Sequence, residues 1–410
     1  MRAVHHEMPG VLAAKARAVL ESNRVTVRGY TYVRPAPHTY EHQWLWDSCF
    51  HALVHLHFDP DLARAELRAL LVHQEAEGPD QGMVPHMAYW DGSGAALWGR
   101  PQASTITQPP LLAEAVLATY RRTGDLAFVA ETYPALRAHY DWLARRRDPD
   151  GDGLVTIIHP WESGWDSSPR WDRFADAAPE DDDGLRRWRV RLVADLRRAG
   201  HDAAALEAAG GFAVEAVDFN SIYAANLDAL AELAGVLGLE AEAAAARRRA
   251  RRVRDAINER MWDPAAGYYW DLAGRGEEPI RCLTPAGLIA LYGGVPDREQ
   301  AARLVERLCD PRHFWTRFPV PSVAASEPTY RPDAYWRGNV WASVNWLVVR
   351  GLERYGYAAE ARAIAQRFVE LVARSGFHEY FHPETGQGYG PDRQSWTALV
   401  VDLAASLGEG

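Results

Sequence analysis

The sequence predicts an all-α protein in which an inner ring of buried helices is wrapped by an outer, amphipathic ring. Three observations predict it. Stretches that are apolar nearly all round alternate with stretches apolar on one face and charged on the other. Loops carrying tryptophan, glycine and proline stand before or after the apolar stretches. No Pro/Gly/Ser-rich linker and no fixed-period repeat divides the chain, so residues 1–410 read as a single domain.

Residues 9–23 form the first helix, with Val11, Leu12, Ala16, Val19 and Leu20 on one face. Residues 24–33 alternate β-branched and polar side chains and predict a short hairpin. Residues 40–58, YEHQWLWDSCFHALVHLHF, read as a buried helix whose first turns crowd Gln43, Trp44, Trp46 and Asp47. Residues 59–77 are its amphipathic partner. A loop at 78–109 holds GMVPHMAYWD and TITQPP and is too long for a plain connector. Residues 110–123 and 125–147 form a helix pair joined at Gly124. Residues 148–159 hold a turn and a short strand, and 160–184 form a second loop whose acidic end, 173–184, reads as mobile.

Residues 184–200 are helical. Residues 217–238 are a strong buried helix and 240–261 its Ala/Arg-rich outer partner. Residues 262–272 suggest a turn and strand. Residues 283–293 and 297–308 make another pair. An aromatic loop at 312–337 precedes a buried helix at 338–355 and its partner at 357–375. A Gly-rich loop at 376–393 leads to the closing helix, 394–407, for twelve or thirteen helices in all.

Composition narrows the partners. Hydrophobic content of 48% allows a large core. A net charge of −10 argues against nucleic acid and anionic membranes. The one basic run, 247–254, lies in an Ala-rich helix and reads as a solvated outer face. Cys49, Cys282 and Cys309 are odd in number and far apart, so neither a disulfide framework nor a metal motif is expected. The N-terminus has no signal-peptide pattern and no run of about 18 apolar residues exists. A cytoplasmic protein is expected, and homo-oligomerisation is left open.

The stretch 161–172, WESGWDSSPRWD, packs Trp161, Trp165 and Trp171 with Glu162, Asp166 and Asp172 into twelve residues. Its Gly164 and Pro169 exclude a core helix. It reads as a loop that sets a carboxyl group among aromatic rings. Glu379 sits in a similar loop far along the chain. Glycosidic cleavage needs an acid on the leaving oxygen and a base or nucleophile at the anomeric carbon. An apolar surround keeps such an acid protonated near neutral pH. Spacing alone does not separate this pair from helix caps or turn acids, since 55 acidic residues offer many pairs.

Aromatic faces cover the C–H faces of sugars while polar neighbours bond the hydroxyls. Tyr40, Gln43, Trp44, Trp46 and Asp47 form one such cluster. Tyr335, Trp336, Arg337, Trp341, Asn345 and Trp346 form another, with Trp346 read as core packing. Asp148-Pro-Asp150-Gly-Asp152-Gly153 resembles the first half of a calcium loop. Its twelfth position is His159, where an EF-hand needs Glu, so a structural turn is the favoured reading, a calcium site is left open, and no metal ligand is assigned. His51, His55 and His57 read as core histidines. There is no Walker A, no dinucleotide fingerprint and no GxSxG, and no cofactor is expected.

The segments ESGWDSSPRW, YEHQWLWDSCF, YWRGNVWASVNWLV and HEYFHPETGQGYGPDRQSWTA together resemble glycoside hydrolase family 63, in particular its short bacterial mannosylglycerate and glucosylglycerate hydrolases. The resemblance covers about residues 40–398. It implies an (α/α)6 barrel with its long loops at one face. It also implies inverting hydrolysis of a small α-glucoside or α-mannoside, either mannosylglycerate- or glucosylglycerate-like or a short α-gluco-oligosaccharide. Asp166 would be the general acid and Glu379 the general base. Tyr40, Trp44, Trp46, Asp47, Gln108, Trp161, Tyr335, Trp336, Trp341 and Gln394 would line the sugar pocket, with Tyr89 in a lid. One stretch departs from the family. Glycerate-specific relatives clamp the glycerate with Arg and Tyr downstream of the acid, where this chain reads FADAAPEDDDGLRRWRVRLV. Its EDDD run repels a carboxylate, while Arg186, Arg187 and Arg189 attract one. The leaving group stays open, as do two other readings: a sugar-binding toroid without catalysis, and an epimerase or lyase using His86, His378 or His382.

Overall fold

The computed structural model describes residues 2–407. Helix α1 (Arg2–Asn23) leads into an antiparallel hairpin, Arg24–Val27 with Tyr30–Val33. Then come α2 (Leu45–His55) and α3 (Pro60–Leu71). Asp59 caps α3 by accepting the Asp61 N–H, and Pro60 sits in the first turn, where its missing N–H costs nothing. A single turn, α4 (Ala95–Trp98), lies in the long loop. Helices α5 (Leu112–Thr123) and α6 (Leu126–Arg146) meet at Gly124, whose φ of 68° a glycine adopts without strain.

Helices α7 (Asp182–Arg198) and α8 (Ala203–Ala208) pack with Tyr89, Trp98 and Ile158 in a small cluster of their own. The long pair α9 (Val217–Val236) and α10 (Glu240–Ala256) follows. The turn Gly287–Ile289 opens α11 (Ala290–Gly293), and α12 (Arg298–Leu308) carries a reciprocal cap between Asp297 and Gln300. The chain closes with α13 (Ala342–Arg354), α14 (Ala358–Ser375), the turn Ser395–Leu399 and α15 (Val400–Ser406).

Contacts define the ring. Helices α2, α5, α9, α11 and α13 touch in that order, α13 touches the turn 395–399, and that turn touches α2 again. Outside them stand α3, α6, α10, α12, α14 and α1, so the first helix covers the last segment and closes an (α/α)6 barrel. Burial follows sequence. Every residue of α2 is buried. On α10 only Ala243, Ala246, Ala250, Val253 and Ala256 are, a single stripe of mostly small side chains that brings the helix close to α9. The arginine run therefore faces outward, with Arg249 on Asp141 and Arg254 on Asp228. Among the described residues, no helix is long and apolar enough to cross a membrane.

Three of the inner helices start later than their apolar patterns suggest, while α9 begins at Val217 as expected. The helix expected over 40–58 begins at Leu45, because Gln43–Trp44 pairs as a strand with Met87–Ala88. The one expected over 338–355 begins at Ala342, and the one over 283–293 at Gly287. In each case the first turns are drawn out into the loop layer. That layer lies at the N-terminal ends of the inner helices, and it is where chemistry-bearing side chains gather.

Candidate active site

The three acids of 161–172 have different fates. Glu162 is fully buried and grips Arg147 with both oxygens, at 2.7 and 2.8 Å. It also accepts the N–H groups of Thr107 and Ile158, which leaves no lone pair for chemistry. Asp172 pairs with Arg337 at 2.9 and 2.5 Å. Only Asp166 opens on a cavity, and no side chain hydrogen-bonds to its carboxyl among the described residues. The other two acids hold the loop that presents it. Trp165 and Trp171 anchor that loop from below, both buried and both stacked on the Arg170 guanidinium.

The cavity, open to solvent on one side, spans about 380 Å³ of empty space including its mouth. The segment leading into α2 gives it Tyr40 and Trp44, and the first turn of α2 gives Trp46 and Asp47; the segment before α5 gives Gln108; Gly164 and Asp166 come from the tryptophan-rich loop. Tyr335 enters from the loop before α13, and Glu379, Gln394 and Trp396 from the last loop. Trp46 is its floor. Gly164 (φ 74°) lies so close over that ring that a Cβ would stand 2.5 Å from it. Trp396 meets Trp46 edge-on at 5.7 Å.

Glu379 sits beside the short hairpin Tyr380–Phe381 with Gly388–Tyr389 and is 3% exposed. Its Oε1 accepts hydrogen bonds from the hydroxyls of Tyr40 (2.8 Å) and Tyr335 (3.4 Å). Its Oε2 accepts none among the described residues. Gly390 lets the returning strand cross the carboxylate, since a Cβ there would come within 2.4 Å of Oε2. Trp336 has a left-handed backbone (φ 58°), which costs a bulky residue energy. The twist sends Tyr335 to the cavity and Trp336 into the core, stacked 3.6 Å from Trp341.

Burial dominates the electrostatics. It pushes the Asp166 carboxyl up to about 6, against the pull of Arg189. It pushes Glu379 up to about 8, against the hydrogen bond from Tyr40 and with help from Asp166 and Asp47. It lifts Asp47 to about 7, opposed by His51.

Arg189, on α7, is 7% exposed. The other arginines buried to this degree have carboxylates: Arg147 has Glu162, Arg170 has Asp218 and Asp271, and Arg337 has Asp172. Among the described residues Arg189 has none within ion-pairing distance, and its Nε lacks a partner. Burial holds its pKa down, and the charges of Asp166 and Tyr335 act on it most strongly in the other direction.

Of the side chains expected at the sugar, the structure brings together Tyr40, Trp44, Trp46, Asp47, Gln108, Tyr335 and Gln394 with Asp166 and Glu379. It places five elsewhere. Gln43 is a buried joint that donates to Ser48 and accepts from Trp90. Tyr89 accepts from Trp98 in the satellite cluster. Trp161 packs on His159 at 4.4 Å. Trp336 and Trp341 form the stack behind Tyr335. Sequence reasoning missed Trp396, although it stands two residues from Gln394 in the same motif, and Pro35, which carries no signal. No histidine lines the cavity among the described residues. His86 is held by Ser104.

Residues 40–397 match the family described as the mannosylglycerate hydrolase MGH1-like glycoside hydrolase domain. A mannosylglycerate hydrolase of Rubrobacter radiotolerans is 35% identical, over 96% of each chain. A glucosylglycerate hydrolase of Mycolicibacterium hassiacum is 30% identical, over 96% of this chain and 97% of that one. The crystal structure of a GH63 mannosylglycerate hydrolase from Thermus thermophilus, in complex with Tris and D-glycerate, superposes with a TM-score of 0.85 at 34% identity, covering 96% of this chain and 100% of the other.

Proposed function

The chain belongs to the mannosylglycerate hydrolase MGH1-like glycoside hydrolase family and is a glycosidase, and from that premise we propose that it releases a carboxylate-bearing aglycone of the glycerate type from an α-mannoside or α-glucoside, with inversion. The observation that carries this is Arg189, a buried guanidinium without a protein carboxylate whose charge reaches Asp166. A buried cation calls for an anion, and a leaving group's carboxylate supplies one. Arg189 does not itself line the cavity, but its charge acts on Asp166, and an aglycone carboxylate drawn toward it would leave the glycosidic oxygen to Asp166, the proton donor in this reading. Glu379, across the cavity with Oε2 free, is then the base for water. The match over residues 40–397 supports one catalytic domain.

The test compares α-mannosylglycerate and α-glucosylglycerate with the corresponding neutral glyceramides. The native protein should prefer the carboxylates by about 100-fold in kcat/KM, and Arg189→Gln should remove most of that preference, as expected for an interfacial charge pair broken from one side. Equal rates on acid and amide in the native protein would exclude the reading.

Proton placement follows from the same arginine. In the free protein the order of the two carboxyls, about 6 for Asp166 and about 8 for Glu379, is the reverse of what catalysis uses. Between those values the pair holds one proton and titrates as a unit. Hydrogen bonds from Tyr40 and Tyr335 favour ionised Glu379. An aglycone carboxylate on Arg189 cancels the charge that holds Asp166 down and adds a like charge beside it. Both effects move the proton to Asp166 when substrate is bound. The expected kcat/KM profile is a bell with limbs near pH 6 and pH 8: below, both carboxyls are protonated; above, both are ionised. A rate that stays level through both limbs would contradict this.

A further inference from the structure

Asp166, Tyr335 and Glu379 meet in the cavity, and each is the chain neighbour of a ring that stands outside it: Asp166 follows Trp165, Tyr335 precedes Trp336, and Glu379 precedes Tyr380. Those rings form one continuous stack. Between ring centres, Trp165 lies 5.2 Å from Trp336, Trp336 lies 3.6 Å from Trp341, and Trp341 lies 4.8 Å from Tyr380, with tilts of 17°, 2° and 27°. One end is anchored. The Arg170 guanidinium covers Trp165 at 4.8 Å and is itself held by Asp218, in the first turn of α9, and by Asp271. The other end is the hairpin beside Glu379. Trp396 meets Trp341 edge-on at 5.6 Å, and its Nε1 donates to the Glu379 carbonyl. Trp336 and Trp341 are fully buried and neither lines the cavity, so neither is placed to touch a sugar.

We propose that Trp336 and Trp341 are positioning residues: the stack from Trp165 to Tyr380 is a rigid spacer that sets how far apart the Asp166 and Glu379 carboxyls stand. The inference rests on the acid and base roles proposed above. Rings packed face to face at van der Waals distance resist compression, so their thickness is carried directly to the residues on either side. Inverting hydrolysis admits one water between the two carboxyls, and an error of about 1 Å in such a site costs about 10²-fold in rate. Two costs at Trp336 show that the fold keeps this ring for a reason other than local comfort. Its backbone is left-handed (φ 58°), and its Nε1 is buried without a hydrogen-bond partner among the described residues. Core packing alone is served by a leucine, which brings no unpaired donor. What an aromatic ring adds is a flat slab of fixed thickness between Trp165 and Trp341.

The test is a double-mutant cycle on the full chain, with α-mannosylglycerate as substrate. Trp336→Leu should lower kcat by about 10- to 100-fold while KM stays within about threefold. Trp336→Phe, which keeps a flat ring, should hold kcat within about threefold of the native value. In the Glu379→Gln background there is no base left to space, so Trp336→Leu should cost no more than about fivefold further. A rise in KM with kcat kept would make Trp336 a sugar contact, and an equal loss in both backgrounds would make it plain packing; either result overturns the spacer. If Trp336→Leu does not fold, Tyr380→Leu, at the partly exposed end of the stack, goes through the same cycle with the same expectation. Native turnover in Glu379→Gln alone would instead overturn the acid and base roles, and the spacer with them.

Discussion

Asp166→Asn is expected to lower kcat on a glycerate glycoside by about 10³-fold. The side chain keeps its shape, so binding and fold should survive. What it loses is the proton for the glycosidic oxygen, which otherwise departs as a costly alkoxide. The loss should therefore depend on the leaving group. On a dinitrophenyl glycoside, whose phenolate leaves without a proton, the deficit should shrink to within about tenfold. Burial raises the Asp166 carboxyl, so removing its charge should leave Tm at pH 8 unchanged or higher. An equal loss on both substrates would assign Asp166 a different role.

Glu379→Gln is expected to cost about as much, ~10³-fold in kcat, on any leaving group, since every substrate needs an activated water. The contrast between the two variants separates acid from base. A second readout comes from stability. The carboxyl of Glu379 goes from an ordinary 4.5 to about 8 in the folded protein. A pKa raised by folding means that the native state is favoured below 4.5 and loses that advantage as pH climbs toward 8. Glutamine does not titrate and escapes the loss. The variant should match the native protein in Tm near pH 4.5 and exceed it by several degrees at pH 8. A difference that does not grow with pH would show that burial does not raise the Glu379 carboxyl.

Much of the ring was legible because periodicity is a local property. The apolar surround of α2 and the Ala/Arg stripe of α10 state in the sequence which helix is inner and which is outer. The start of α9 was legible, but that of α2 was not, because its expected first turn is drawn out by a partner distant in sequence, Gln43 pairing with Ala88. The site divided along the same line. Spacing offered Glu162, Asp166 and Asp172 on equal terms. The resemblance selected Asp166, and the physical reason lies in Arg147 and Arg337, arginines outside the stretch that occupy the other two. Trp336 and Trp341 looked like sugar platforms by composition. A single left-handed residue at 336 turns them into core and leaves Tyr335 at the cavity. Arg189 carried no distinguishing signal among its neighbours Arg186, Arg187 and Arg191, because only folding shows which arginine is buried without a partner.

In the proposed reaction a water activated by Glu379 attacks opposite to the bond that Asp166 protonates, a geometry that needs about 6.5–9.5 Å between the two carboxyls. Proton NMR of α-mannosylglycerate hydrolysis, recorded before mutarotation, tests it most directly. Attack from the opposite face gives β-mannose first; α-mannose as the first product would contradict inversion.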